Sequence, residues 1–139
     1  MLKLLAYIVI PLAIVSCGGA GGKASNEWSL VLSGVPAALT SVWGVSANAI
    51  WAVGSDPTGA GNTVLHFDGS KWDKLPTGFS GDLWWVFGFE EGPVFMGGKD
   101  GLILRYENGK FQRMPTPGTA TVYGIWGTEP SDMWAAGGN

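Results

Sequence analysis

The sequence predicts an all-β fold built from a repeated antiparallel unit, and three observations carry that expectation. Trp43-Gly44, Phe87-Gly88 and Trp126-Gly127 each lead, seven residues after the glycine, into an aromatic-and-glycine stretch: Trp51-Ala52-Val53-Gly54, Phe95-Met96-Gly97-Gly98 and Trp134-Ala135-Ala136-Gly137. An aromatic also stands fifteen residues ahead of each opening aromatic, at Trp28, Trp72 and Phe111. Finally, 23 glycines and 8 prolines break the chain into short runs, and beyond the first residues no window keeps a helical period. Repeats of about 40 residues made of short strands are the signature of β-propeller blades.

The elements follow in order. The first complete unit reads as Leu39 to Val45, Ala49 to Val53, Thr63 to Phe67 and Lys71 to Leu75. The second reads as Leu83 to Phe89, Pro93 to Met96, Leu102 to Tyr106 and Lys110 to Met114. Each run is rich in β-branched and aromatic residues and is bounded by turn formers. Asp68-Gly69-Ser70 and Glu107-Asn108-Gly109 separate the third run from the fourth, where a tight hairpin needs a positive φ. The units are 44 and 39 residues long, from Trp28 to Trp72 and from Trp72 to Phe111, and the five extra residues fall within Gly54 to Asn62. An insertion between two strands lengthens a loop and leaves the flanking register intact.

These units place blade repeats at about 39–82 and 83–121, and a third at 122–139 that holds two strands. Trp28 to Leu32 is expected as the outermost strand of a preceding blade, so a partial propeller spans 27–139, about two and a half four-stranded antiparallel blades. Closed rings use at least four blades, so the ring is incomplete as written. Three readings stay open: a fragment of a longer chain, a ring completed by copies of this chain, or an open array.

Ser41-Val42-Trp43-Gly44, Ala49-Ile50-Trp51-Ala52-Val53-Gly54, His66-Phe67-Asp68-Gly69 and Trp72 together resemble the Trp-Gly/Trp-Ala-Val-Gly blades of secreted bacterial β-propellers, of the kind found in myxobacterial and planctomycete lipoproteins. The Asp68-Gly69 turn is also distantly similar to the Asp-box of sialidase-like propellers. It lacks the serine of that box, since His66 and Phe67 precede the aspartate, and the second unit has Glu107 in its place. The resemblance covers Trp28 to Asn139. It implies the fold and leaves the activity open, because propellers carry many unrelated functions.

The beginning of the chain has a different character. Met1 to Ser16 combines an early Lys3, an apolar run from Leu4 to Val15 and a small residue before Cys17, the layout of an export signal. The run is shorter than the roughly 20 residues a membrane-spanning helix needs. Ile14-Val15-Ser16-Cys17 resembles the lipobox of bacterial lipoproteins. That resemblance implies a lipoprotein signal peptide at 1–16, lipid attachment at Cys17 and a place in the cell envelope, anchored on the periplasmic or cell-surface side of a membrane. Two or more acyl chains anchor stably where one does not. Residues 17–26 then comprise the lipidated cysteine and a glycine-rich tether with no apolar side chain larger than alanine, whose reach is about 15–18 Å. Cys17 is the only cysteine, so its acylation leaves no disulfide to hold the fold.

The formal net charge is −3, and removal of Lys3 with the signal makes the chain more acidic by one. No basic run is present, which argues against nucleic acid or anionic lipid as a partner. The catalytic inventory is thin. His66 is the one histidine, Arg105 and Arg113 are the only arginines, and neither a phosphate-cradling glycine loop nor a Gly-x-Ser-x-Gly elbow occurs. No cluster has metal-ligand spacing. The expectation is a non-enzyme without cofactor or metal.

Aromatics recurring at one repeat position are read as packing residues. Trp84 and Trp85 stand apart, because Trp85 aligns with Ser41 and Gly124, and Trp84 with Thr40 and Tyr123. Adjacent strand residues point to opposite faces, so one of the two is expected to pack and the other to be exposed. In propellers the second-to-third and fourth-to-first connections gather on one face. The candidate ligand-binding set is therefore Trp84 and Trp85 with Asp56, Asn62 and Asp100, the tryptophan stacking on a sugar and the polar groups bonding its hydroxyls. Otherwise Trp85 fills space between blades. The leading expectation is a lipid-anchored, non-catalytic binding or scaffold module for an extracellular protein or polysaccharide. The alternatives are a carbohydrate-binding lectin that assembles its ring as a homo-oligomer, and the non-catalytic front portion of a larger enzyme.

Overall fold

A computed structural model describes residues 28–139. The signal peptide expected at 1–16, the lipidated Cys17 and the tether to residue 26 lie outside the described residues. The chain divides into two units, Met1–Val35 and Pro36–Asn139. Of the first, Trp28 to Val35 is described, and it contains no strand. This corrects the expectation of an outer strand at Trp28 to Leu32. A strand exists through its ladder bonds to a neighbour, and among the described residues no strand pairs with this segment.

Within Pro36–Asn139 the chain forms ten strands. They are β1 (Leu39–Ser46), β2 (Ala49–Gly54), β3 (Thr63–Phe67), β4 (Trp72–Lys74), β5 (Leu83–Gly88), β6 (Val94–Gly98), β7 (Ile103–Glu107), β8 (Lys110–Arg113), β9 (Thr121–Glu129) and β10 (Asp132–Gly138). Strands β1-β2-β3-β4 make one four-stranded sheet, β5-β6-β7-β8 a second, and β9-β10 a two-stranded hairpin. All pairs are antiparallel, and spatial order equals chain order. The eight strands expected in the two complete units are all present, with ends shifted by no more than two residues.

The first strand of each sheet carries a β-bulge at the same repeat position. Leu39 pairs with Gly54 and Ser41 with Val53, leaving Thr40 as the extra residue. Likewise Leu83 pairs with Gly98 and Trp85 with Gly97, around Trp84. Val122 pairs with Gly137 and Gly124 with Ala136, around Tyr123. This geometry explains the glycine that closes each motif. A Cβ on Gly54, Gly98 or Gly137 would sit under 3.0 Å from the carbonyl oxygen of Ala38, Asp82 or Thr121 respectively. The amide after the glycine bonds that same carbonyl, from Ser55 to Ala38 and from Lys99 to Asp82, both at 2.9 Å. Gly98 has an extended φ of −157°, so close backbone approach selects the glycine there, not its dihedral freedom.

Strand β1 packs on β5, and β5 on β9. Trp51, Val53 and Val64 of the first sheet share a buried cluster with Leu83, Val86, Val94, Met96 and Leu104 of the second. Phe87, Phe95, Val122 and Ile125 form a second cluster toward β9. Each fully buried side chain of this size contributes about 1.5–3 kcal/mol by leaving water. Polar ties cross the same seams. Thr40 Oγ1 donates to the Leu83 carbonyl at 2.7 Å, and Trp43 Nε1 to the Gly88 carbonyl at 2.9 Å. The recurring aromatics pack as expected at Trp51 and Phe95, only 4% and 2% exposed, but not at the equivalent Trp134, which is 69% exposed. Among the described residues no third and fourth strand complete the β9-β10 sheet.

Gly98→Ala is expected to lower the free energy of unfolding by about 3 kcal/mol, as overpacking against backbone does. Gly109→Ala, at a φ of 77° with nothing within 4 Å of its added Cβ, should lose about 1 kcal/mol from left-handed strain alone. Urea unfolding followed by tryptophan emission measures both. Equal losses would remove the Asp82 carbonyl as the reason for the glycine.

Candidate ligand-binding face

The β2-β3, β4-β5 and β6-β7 connections are laced together by backbone polarity, with Asp82 as the junction. Its Oδ1 accepts the Asp56 amide at 2.8 Å, and its carbonyl accepts the Lys99 amide. The Asp56 carboxylate accepts the amides of Gly81 at 2.9 Å and Gly61 at 3.2 Å. The Gly81 bond is the main cause that holds this carboxyl below the usual 3.8, against a smaller opposing effect of burial.

Asn62 is buried among these loops. Its Nδ2 donates to the Gly81 carbonyl, and its Oδ1 accepts the Thr77 hydroxyl at 2.9 Å. The Thr77 hydroxyl also accepts the Phe79 amide at 3.1 Å. The same device recurs one unit later, where Thr116 Oγ1 donates to the Gly101 carbonyl at 2.9 Å. These threonines were not among the sequence-derived candidates, although a signal was present: Leu75-Pro76-Thr77 and Met114-Pro115-Thr116 occupy equivalent places. Asp56 and Asn62 therefore build the loops, with their polar atoms directed at the backbone of Gly61 and Gly81 and at the Thr77 hydroxyl. A cavity of about 590 Å³ opens beside them, lined by Gly59, Asn62, Leu75, Thr77 and Phe79 among others.

Asp100 lies in a short 3₁₀ turn, Lys99–Gly101, with left-handed backbone (φ 56°, ψ 39°), and its side chain is exposed. Trp84 and Trp85 do not divide into one packed and one exposed residue. Trp84 is the bulged residue, and a bulge breaks the alternation of faces. Both indoles stay partly exposed. The Trp85 Nε1 donates to the Ile125 carbonyl at 2.9 Å, tying β5 to β9. Ser41, at the same repeat position, accepts the Val86 amide with its hydroxyl at 3.3 Å, and Val86 is the repeat counterpart of Ile125. Trp85 is thus a seam residue. Trp84 is 40% exposed and meets Tyr123, 52% exposed, at a centroid distance of 6.1 Å and an interplanar angle of 60°.

No family model, curated protein or solved structure matches this chain. The site must be read from its own chemistry. Among the described residues no group of three or more His, Cys, Asp or Glu could hold a metal ion, and no helix is long and apolar enough to cross a membrane. His66 stacks on Trp51 at 4.2 Å and pairs across the ladder with Asp73. Burial pushes its imidazole below the usual 6.5, outweighing the opposite pull of Asp68 and Asp73. Asp68 accepts the Lys71 amide at 2.9 Å and the Ser70 amide and hydroxyl at 2.8 Å, which lower its carboxyl to about 2. That side-chain turn, with Gly69 at φ 95°, is the reason for Asp-Gly-Ser between β3 and β4.

Asn62→Ala should cost about 2 kcal/mol of stability, since it leaves the part-buried Gly81 carbonyl without its donor and takes one of two acceptors from the Thr77 hydroxyl, which keeps the Phe79 carbonyl at 3.1 Å; denaturant unfolding measures it, and a neutral result would mean that water replaces the amide. The histidine sets a separate pH dependence. A lowered folded-state pKa means that the unfolded chain binds the proton more tightly, so stability is full above 6.5 and declines as pH falls through that value. His66→Gln, at the chain's only histidine, should flatten the unfolding midpoint between about pH 7 and pH 5. The acid loss linked to Asp68, between 3.8 and about 2, should persist. Persistence of the upper decline in the variant would sink the assignment.

Proposed function

We propose that this chain is an exported, lipid-anchored β-propeller module that binds an extracellular polymer without catalysis. Two four-stranded meanders and a hairpin, with first strands β1, β5 and β9 packed side by side, support reading the sheets as successive blades around their inner strands. The lipid anchor rests on Ile14-Val15-Ser16-Cys17. A scaffold in this role needs no catalytic constellation.

Of the two ligand classes, polysaccharide is favoured over protein by one observation: the exposed Trp84–Tyr123 pair. It stands on consecutive bulges, next to the end where the connections are laced together. Aromatic rings combine an apolar face with a polar edge, which suits the apolar face and hydroxyl rim of a pyranose. The pair replaces Trp85 and the loop residues Asp56 and Asn62 as the leading contact. Asp100, exposed on the neighbouring turn, remains a hydrogen-bond acceptor for hydroxyls.

Titration of the full chain with a panel of soluble polysaccharides should shift tryptophan emission for at least one of them. Trp84→Ala should weaken that binding by about tenfold or more, since stacked aromatic contacts contribute on the order of 1–2 kcal/mol. Trp85→Phe should leave it within about twofold while lowering stability by the order of one hydrogen bond. A silent panel, or equal loss in both variants, would overturn the assignment. Palmitate labelling tests the anchor independently: Cys17→Ala should abolish incorporation and release the chain from the membrane fraction.

A further inference from the structure

We infer that the cavity between the first two sheets, at the end opposite the laced connections, is a binding site for a hydroxylated primary amine of amino-sugar size. Both sheets line it, and it holds about 490 Å³, within the roughly 300–1,000 Å³ of small-ligand sites. The meanders are antiparallel and in chain order, so the β5-β6 and β7-β8 turns share this end and Trp84 stands at the other. The inference therefore does not rest on the polysaccharide reading of the Trp84–Tyr123 pair.

The decisive atom is a donor on a buried side chain. Trp51 is 4% exposed, and its indole N–H makes no hydrogen bond among the described residues, whereas the Trp43 and Trp85 indoles donate to carbonyls of the following strands. No fully buried side-chain nitrogen or oxygen among those residues is left without a partner. The Trp51 nitrogen is thus not sealed in the core, and the surface it keeps belongs to the cavity wall that Trp51 helps to form. Packing does not need this polar atom, because Phe95 fills the same repeat position and is equally buried. His66 stacks on the indole at 4.2 Å and Tyr106 at 4.8 Å, which fixes the direction of the N–H. A donor held in such a wall selects a ligand that brings an acceptor, such as a hydroxyl oxygen.

Charge specifies the rest of the ligand. Glu90, Glu91 and Glu107 bring three carboxylates to the rim, and among the described residues no lysine or arginine lines the cavity. Glu107 is paired with Arg105 at 3.0 Å, while Glu90 and Glu91 are exposed and form no ion pair among the described residues. Burial holds the His66 imidazole below its usual 6.5, so it contributes no full charge at neutral pH. The rim therefore attracts a cation. Val45, Val94 and Phe89 add apolar surface for a carbon skeleton. An amine carried on a hydroxylated ring meets all three demands. A plain sugar lacks the charge, and a plain alkylamine lacks the acceptor.

The test is titration of the full chain with glucosamine at neutral pH, followed by the indole N–H resonances. One resonance should shift saturably, and it should be the one that Trp51→Phe removes. That variant gives the first sheet the residue that the second already carries. Glucose and butylamine should each bind at least about tenfold more weakly, since each lacks one polar partner. Replacing both rim carboxylates, Glu90→Gln with Glu91→Gln, should weaken glucosamine by about fivefold or more. A Trp51 resonance unmoved by glucosamine overturns the proposal. Equal binding of glucose, equal binding of butylamine, or unchanged affinity in the double variant overturns it as well.

Discussion

The close approach of a carbonyl to the glycine that ends each motif governs much of what surrounds it. With Ala38, Asp82 and Thr121 pressed against Gly54, Gly98 and Gly137, the paired first strand must accommodate one residue more than its partner. The bulge that results sharpens the local twist and re-aims a side chain. Thr40, Trp84 and Tyr123 therefore occupy corresponding places at the start of three consecutive first strands. The same carbonyls receive the amides that begin the β2-β3 and β6-β7 connections. One backbone contact thus positions both the bulged residues and the loops beside them.

The seams between sheets reuse fixed positions with different chemistry. Ser41 and Trp85 are equivalent, and each reaches the strand of the next sheet at Val86 or its counterpart Ile125. The serine accepts from an amide; the indole donates to a carbonyl. An indole spans a wider gap than a hydroxymethyl group, so the second seam at this level is filled by ring and not by backbone proximity. The Trp43 indole does similar work further along the first seam, at the Gly88 carbonyl. Hydrophobic burial supplies most of the energy at these seams, and the directional bonds fix the sliding register between sheets.

Strand positions were legible because the information for them is local: aromatic-glycine spacing, β-branched runs and turn residues at Asp68-Gly69-Ser70 and Glu107-Asn108-Gly109. The five-residue insertion before Asn62 was legible for the same reason, since it leaves the spacing of its flanks unchanged. Roles set by distant partners were not legible. Asp56 and Asn62 look like ligand-facing polar residues until their bonds to Gly61, Gly81 and Thr77 are seen. Trp85 looks free until the Ile125 carbonyl is seen. Internal repetition shows which residues are equivalent, and it does not show what each one touches. Tyr123 illustrates this, aligned with Trp84 by sequence but identified as its neighbour only by geometry.

The β9-β10 hairpin separates the two kinds of information physically. It has the same bulge, the same glycine seat and the same aromatic pairing of first and second strands, Trp126 against Trp134, as the other two sheets. Yet Trp126 and Trp134 are exposed, while Trp51 and Phe95, in the same repeat position as Trp134, are buried. The bulge and the glycine seat form within one hairpin and need no outer strands. Burial of the motif aromatics does need them, because Trp51 is covered by His66 of its own third strand and by Tyr106 of the next sheet. An inner hairpin is therefore specified by its own sequence, whereas its apolar cover is contributed by strands that add to its edge and by the sheet that follows. The motif Trp-Ala-x-Gly encodes a shape ready to be covered, and the covering strands decide whether its tryptophan becomes core.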